Sequence, residues 1–287
     1  MNAPLLLAPP SGTLRRAQPW LGTLVGIEAD GLPPVRLAHA VERAFDAVAR
    51  VHRTMSFHDP DSELSRLNRQ AHAGPVRVSG HLRRVLRAAM RMSALSDGLF
   101  DVTVAPTLVR WGYLPGMAEP ANARGTWRDI RLHDDGTVSF EAPLCIDLGG
   151  IAKGYAVDMA IAVLRGAGVP SACVNAGGDL RFYGAQPRQI GVRDPAAPGH
   201  LRLLPPLPAG AIATSCVADT RRRHDGEWRS PLVDPRDGRA ISHADSITVL
   251  ARSCLVADAL TKPVALDADA CEPVLRRLRA RALRLPA

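Results

Sequence analysis

The stretch "CIDLGGIAKGYAVD", residues 145–158, brings an acid, a Gly-Gly pair and a lysine together where a strand pattern gives way to a helical one. "CIDL" alternates as a half-buried strand does and runs straight into Gly149-Gly150. Residues 151–167 then read as a helix. Glycines at such a junction let backbone approach a ligand, and the start of a helix presents N–H groups that favour an anion. Lys153, in the first turn, adds a compact, mobile charge suited to phosphate. Asp147, just before the turn, can accept from a ring N–H or a sugar hydroxyl. The plain alternative is a tight strand–helix turn with Lys153 in solvent. Rarity weighs against it: the chain has 36 Lys+Arg, and only Lys153 and Lys262 are lysine.

Working outward, residues 20–29 read as a first strand and 35–54 as a long helix. A polar loop is expected over 56–69, and a second long helix over 80–101, stopped at a Ser-Asp-Gly. Residues 116–125 read as a loop, and 129–149 as strand, Asp-Gly hairpin, strand and then the opening motif. A strand is expected over 171–184, and at most short strands in the proline-rich span 186–210. "AIATSC" (211–216), "SPLVDP" (230–235) and "SITVLA" (246–251) read as strands, and 254–267 opens as a helix. Mixed sheets with packed helices define an α+β fold, with one large domain over 20–287 behind a disordered leader at 1–19.

Composition bounds the function. Of the 287 residues, 46% are hydrophobic and 22% charged, ordinary for a globular domain. No apolar run approaches the ~18 residues of a membrane span. The net charge of +8 comes from arginines spread along the chain. Dense clusters occur only at 221–224 and 276–284, the second reading as an amphipathic helix or tail, and aromatics are 4%. That combination reads as a solvated surface, not a nucleic-acid face. Five scattered cysteines show no zinc spacing and read as reduced core thiols of a cytoplasmic protein.

Three further segments carry chemistry. In "VNAGGDLRFYG" (174–184) a strand meets Gly177-Gly178, with Asp179 next. In "LFDVTVAP" (99–106), Asp101 and Thr103 share a strand face by period two. In "VADALTK" (256–262), Asp258, Thr261 and Lys262 share one helical face, and a carboxylate beside a hydroxyl suits Mg²⁺ next to phosphate. The plain reading of the last is a surface Asp–Lys pair.

Together these segments resemble the ApbE family, the FAD:protein FMN transferases. The resemblance runs in order through "LGT" (21–23), "DPDSELSRLN" (59–68), "GLFDVTVAP" (98–106) with "WG" (111–112), "IDLGGIAKGYAVD" (146–158), "NAGGDLR" (175–181), "VDPRDGR" (233–239) and "ADALTK" (257–262). It implies FAD as substrate, Mg²⁺ as cofactor, and an acceptor flavoprotein whose Thr or Ser takes FMN as AMP leaves. It places Leu21, Gly22, Thr23, His58, Asp147, Lys153, Gly177, Gly178, Asp179 and Leu232 at the flavin nucleotide, with Leu99, Phe100 and Asp101 at its adenosine end. Gly150, Asp258 and Thr261 are the implied metal ligands, and Asp258 and Lys262 the implied catalytic pair.

The chain departs from the family pattern at Leu21, where Met is usual, at His58, where an aromatic is common, and at Pro231, where His is usual. It departs again at Lys262, where the family's metal-binding Thr stands. Either Thr261 substitutes, or Lys262 itself supplies positive charge to the pyrophosphate. The departures also leave open a relative that binds or hydrolyses FAD without flavinylating a partner.

Overall fold

A hairpin opens the domain. The computed structural model describes residues 12–116, 125–197, 199–224, 226–241 and 243–287. In it β1 (Leu14–Trp20) pairs antiparallel with β2 (Thr23–Asp30), from Leu14↔Ala29 to Trp20↔Thr23. Leu21 and Gly22 between them have φ of 58° and 71°, the positive values a two-residue turn needs to match strand twist. The leader expected through residue 19 is therefore corrected, since residues 14–19 belong to a sheet. Residues 1–11 of that leader lie outside the described residues.

The chain continues through α1 (Pro34–Met55), α2 (Glu63–Gln70), β3 (Val76–Arg77), α3 (Gly80–Leu95) and α4 (Ala105–Arg110). Next come β4 (Ile130–Leu132), β5 (Thr137–Phe140), α5 (Ala152–Gly166), β6 (Ser171–Ala176) and β7 (Asp179–Tyr183). β8 (Gly191–Arg193), β9 (Leu201–Leu203), β10 (Gly210–Cys216), α6 (Val217–Thr220), β11 (Arg222–His224) and β12 (Glu227–Arg229) follow. The last elements are β13 (Ser246–Ala251), α7 (Cys254–Leu266), α8 (Ala268–Leu278) and β14 (Arg281–Leu285).

Seven strands form one sheet in the order β1-β2-β6-β7-β10-β13-β14, every neighbour antiparallel. Period-two alternation gives it two working faces. Val25, Ile27, Val174, Ala211, Ala213, Ile247 and Val249 face the main core, while Leu180, Phe182 and Ile212 join Ile190, Val192 and Leu204 in a smaller one. α1 packs on α5, α5 on α7, and all three lie against this sheet. α1 turns Leu37, Val41, Ala44, Phe45 and Val48 inward at helical spacing. A small sheet, β3-β5-β4, and two hairpins, β8-β9 and β11-β12, complete the α+β fold.

Several local expectations are corrected. The expected loop 56–69 contains α2, capped by Ser62 accepting from Ser65 N–H, with Leu64 and Leu67 buried. "CIDL" is extended but pairs with no strand. The Asn68 amide takes that place, donating to Ile146 C=O and accepting from Ile146 N–H, both at 2.9 Å. Asp101 and Thr103 lie on no strand: Asp101 Oδ1 accepts from Thr103 N–H and Oγ1 at 2.8 Å, which starts a 3-10 turn. α3 stops at Leu95, six residues early, because Asp97 and Gly98 turn left-handed. The expected strand 171–184 is a hairpin, β6-β7, turning at Gly177-Gly178 with φ of 66° and 105°. Residues 230–235 form no strand beyond a single bridge, Val233 to Ala240. The arginine-rich end is split by Arg279 in the left-handed region, and β14 then pairs with β13 as a sheet edge. Most of the expected loop 116–125 lies outside the described residues.

Asn68→Ala would strand a buried N–H and a buried C=O of Ile146 at once. The expected loss is at least about 2 kcal/mol, read as a lower midpoint in chemical denaturation, with the opening motif losing protection from hydrogen exchange first.

Candidate flavin-nucleotide site

The start of α5 and the first turns of α7 touch, and this contact builds the site. A Cβ at Gly154 would fall inside the Cys254 carbonyl and 2.8 Å from Asp258 Cβ, so only glycine lets the two backbones meet. Each helix then caps the other. Asp158 of α5 accepts from Cys254 N–H and Leu255 N–H at 3.0 Å, and Asp258 of α7 accepts from Gly154 N–H at 3.0 Å. Arg181 of β7 pairs with Asp158 at 2.6 Å and ties the sheet into the same clasp. Asp158 lies inside the opening motif, yet nothing local in the sequence distinguishes its role.

The helix start is not the open anion site that the Gly-Gly turn suggests. Ile151 and Ala152 donate their N–H to Leu148 C=O, and Gly154 N–H is spent on Asp258. The positive face comes from side chains instead. Lys153 Nζ pairs with Asp179, and Lys262 Nζ with Asp258. The carboxylates are sealed in, at 3% and 1% side-chain exposure, while the lysines keep 33% and 21%. The layer is polarised, with acids inside and ammonium groups toward the cavity. Burial works against the Lys153 charge, but Asp179 and Asp258 outweigh it and raise its pKa. Burial also pushes Asp258 up, but Lys262 and Lys153 outweigh it and hold the carboxyl below its ordinary value. Asp179 is raised, by burial first and by the Asp258 charge second.

Two chambers adjoin here, with Lys153 lining both and Lys262 lining the larger. The larger, of about 460 Å³, is lined among others by Leu99, Phe100, Asp101, Gly150, Gly177, Leu232 and Lys262. The smaller, of about 370 Å³, is lined by Leu21, Gly22, Phe57 and His58 among others. Leu114, Asp147, Gly149 and Lys153 face both. Burial raises the Asp147 carboxyl, opposed by the backbone N–H groups of Gly149 and Leu148 that hold it and by the nearby His58 and Lys262.

Five expected site residues stand behind this wall. Thr23 supports the turn: a Cβ on Gly177 would lie 2.5 Å from its hydroxyl. Gly178 N–H bonds Asn175 Oδ1 at 2.8 Å. Asp179 and Asp258 back the lysines, and Thr261 is fully buried. Tyr113, Thr214 and Ser215 line the larger chamber without any motif to announce them. Tyr113 also donates to Thr220 C=O and Arg229 C=O, at 3.0 and 2.7 Å, fastening the β11-β12 hairpin at the rim.

The Mg²⁺ set implied for Gly150, Asp258 and Thr261 does not fit this arrangement. Lys262 Nζ holds Asp258 Oδ1 and, at 2.8 Å, its main-chain oxygen, while Gly154 N–H holds Oδ2. Thr261 Oγ1 donates to Asp258 C=O at 2.8 Å and shares a 2.8 Å hydrogen bond with Ser215. Among the described residues no group of three His, Cys, Asp or Glu side chains gathers as a metal site.

Two adjoining chambers with apolar walls share Lys153, and Lys262 lines the larger, an arrangement that can accept a two-headed ligand with an anionic middle. The ApbE family model matches residues 21–281, and the chain belongs to that family. It is 31% identical over 269 residues to the FAD:protein FMN transferase of Vibrio cholerae, across 88% of this chain and 80% of that one. To the FAD:protein FMN transferase of Haemophilus influenzae it is 29% identical over 233 residues, 74% of this chain and 67% of the relative. The solved structure of the flavin transferase ApbE from Vibrio cholerae superposes with a TM-score of 0.82 at 28% identity, covering 96% of this chain and 94% of that one. The ApbE protein of Thermotoga maritima gives 0.83 at 27%, with the same coverage.

Gly154→Ala is the sharpest test of the helix contact. Forcing a methyl between the two backbones should cost about 3 kcal/mol, the upper end for overpacking. The expected result is a lower unfolding midpoint than for Gly166→Ala, at a helical glycine with open space around it.

Proposed function

We propose that the protein is an FAD:protein FMN transferase. The observation that carries this reading is the lysine pair, with Lys153 facing both chambers and Lys262 facing the larger, where the diphosphate of a bound FAD would lie. The flavin would occupy the smaller chamber, against Phe57 and His58, and the adenosine the larger one, against Leu99, Phe100 and Asp101. The hydroxyl oxygen of an acceptor Thr or Ser attacks the phosphorus of the FMN half. A new P–O bond forms, the bond to the bridging oxygen breaks, and AMP leaves carrying that oxygen. The hydroxyl proton passes to a cavity carboxylate. Asp147 suits this, since burial lifts its pKa toward the working range of a base.

Position and charge do most of the work in such a transfer. Lys153 and Lys262 bind the diphosphate and hold its developing charge. The Gly149-Gly150 turn lets the chain pass close beneath it, and the sealed carboxylates keep both ammonium groups aimed. No step is routed through Mg²⁺, because Lys262 and Gly154 N–H already engage the Asp258 oxygens and Thr261 lies behind the cavity wall. The acceptor is a flavoprotein, and the reaction is placed in the cytoplasm on the strength of the scattered cysteines. No described helix is long and apolar enough to cross a membrane.

Incubating the purified protein with FAD and a cell lysate tests the reading. The expected outcome is a protein band that keeps flavin fluorescence after denaturation, with AMP released in equal amount. Free FMN and AMP without a fluorescent band would instead establish an FAD hydrolase, the reading that the Pro231 and Lys262 departures favour. Absence of FAD binding would overturn both.

Lys153→Met should weaken FAD binding by at least tenfold, about 1.4 kcal/mol, because it removes a diphosphate contact and leaves Asp179 buried without its partner. Fluorescence titration reads this directly.

A further inference from the structure

We propose that the Lys262 ammonium occupies the place of a divalent cation in this protein, so that the diphosphate is bound and cleaved without metal. The inference rests on the flavin-transferase reading and assigns its charge chemistry to the chain itself.

Three observations carry it. The oxygens of Asp258 are already engaged, since Lys262 holds Oδ1 and the main-chain oxygen and Gly154 N–H holds Oδ2, and a metal would have to displace the ammonium. Thr261, the neighbouring hydroxyl, is spent within the fold on Asp258 and Ser215 and does not reach the cavity. The Lys262 stem is seated against the Gly-Gly turn: a Cβ on Gly150 would lie 3.3 Å from Lys262 Cε and 3.5 Å from Phe100. The bare glycine leaves room for the stem, which passes Gly150 and brings Nζ to Asp258.

Charge points the same way. Asp258 and Asp179 are each already matched by one ammonium. A divalent ion added there would meet two cations at close range, with both carboxylates beneath it already paired. A diphosphate meets the opposite situation, with two compact cations facing it and able to adjust as charge shifts toward the leaving oxygen. Asp258 thus becomes a holder of the ammonium where a metalloenzyme would use it as a ligand. Lys262 touches the substrate, and Asp258 is a positioning residue.

The test uses the full-length protein after EDTA treatment and dialysis, with FAD as the probe. FAD affinity by flavin-fluorescence quenching and AMP release by chromatography are each expected to stay within about twofold whether Mg²⁺ or EDTA is present. A tenfold loss in EDTA that Mg²⁺ restores would overturn the proposal. Manganese EPR gives a readout independent of turnover: the unmodified protein is expected to leave Mn²⁺ free, and one tightly bound Mn²⁺ would overturn the proposal. Lys262→Thr restores an Asp–Thr pair one turn apart. That variant, checked for folding by circular dichroism, is expected to bind FAD at least tenfold more weakly in EDTA and to recover with Mg²⁺. If it binds FAD as well as the parent in EDTA, Lys262 does not act on the diphosphate. A parent that binds no FAD in any buffer would defeat the flavin reading, while the EPR result on the same sample would still decide whether a metal is held.

Discussion

The reciprocal capping of α5 and α7 is the constraint on which the site depends. Helix starts leave N–H groups unpaired, and a buried start needs an acceptor from elsewhere. Here each helix supplies the other's acceptor, Asp158 at the head of α7 and Asp258 at the head of α5. A carboxylate at a helix N-terminus also gains from the aligned peptide dipoles. The clasp closes only because Gly154 lets the backbones touch. Lys153 leaves α5 one residue before that contact, and Lys262 leaves α7 one turn after Asp258. Their convergence on one cavity floor follows from the clasp.

The same arrangement explains how charges survive so deep in the fold. Unpaired buried carboxylates are costly, and losing one member of a buried pair costs more than the pair contributes. Asp179 and Asp258 each have an ammonium partner, Asp158 has the Arg181 guanidinium, and Asp158 and Asp258 accept backbone N–H bonds as well. The lysines pay part of this by keeping one side toward the cavity. An anionic ligand therefore meets a surface whose compensation is already in place, with little reorganisation left to do.

Much of this was legible in the sequence where a pattern is local. Helical spacing marks α1, α3, α5 and α7, period two marks β2, β10 and β13, and the ordered motifs name the family. What stayed hidden depends on single side-chain bonds and backbone turns, some across long separations and some local. Asn68 replaces a strand partner for Ile146 from 78 residues away, and no window around "CIDL" contains it. Asp101 diverts an alternating segment into a 3-10 turn by accepting two bonds from Thr103. β14 hides in an arginine run, because a left-handed Arg279 leaves no mark in composition. At the site, most supports behind the wall lie inside the motifs, but what each one holds, such as the Asp158 cap on α7, shows only in three dimensions. Tyr113, Thr214 and Ser215 line the larger chamber with no motif to mark them. The Gly-Gly turn is instructive the other way: its sequence advertises a helix-start anion site, and the fold spends those amides internally.

The retention of only two lysines in a chain with 36 basic residues has a consequence for its chemistry. Lysine acylation is a reaction of amines, which guanidinium groups escape. Apart from the chain's first residue, every amine this protein can offer to an acetyl donor sits on the floor of its own cavity. Acetylating either one would discharge the floor and strand an aspartate beneath it. In a cell rich in acyl donors, this enzyme would have no harmless lysine to absorb the damage. A bound nucleotide would then shield both amines while it serves as substrate.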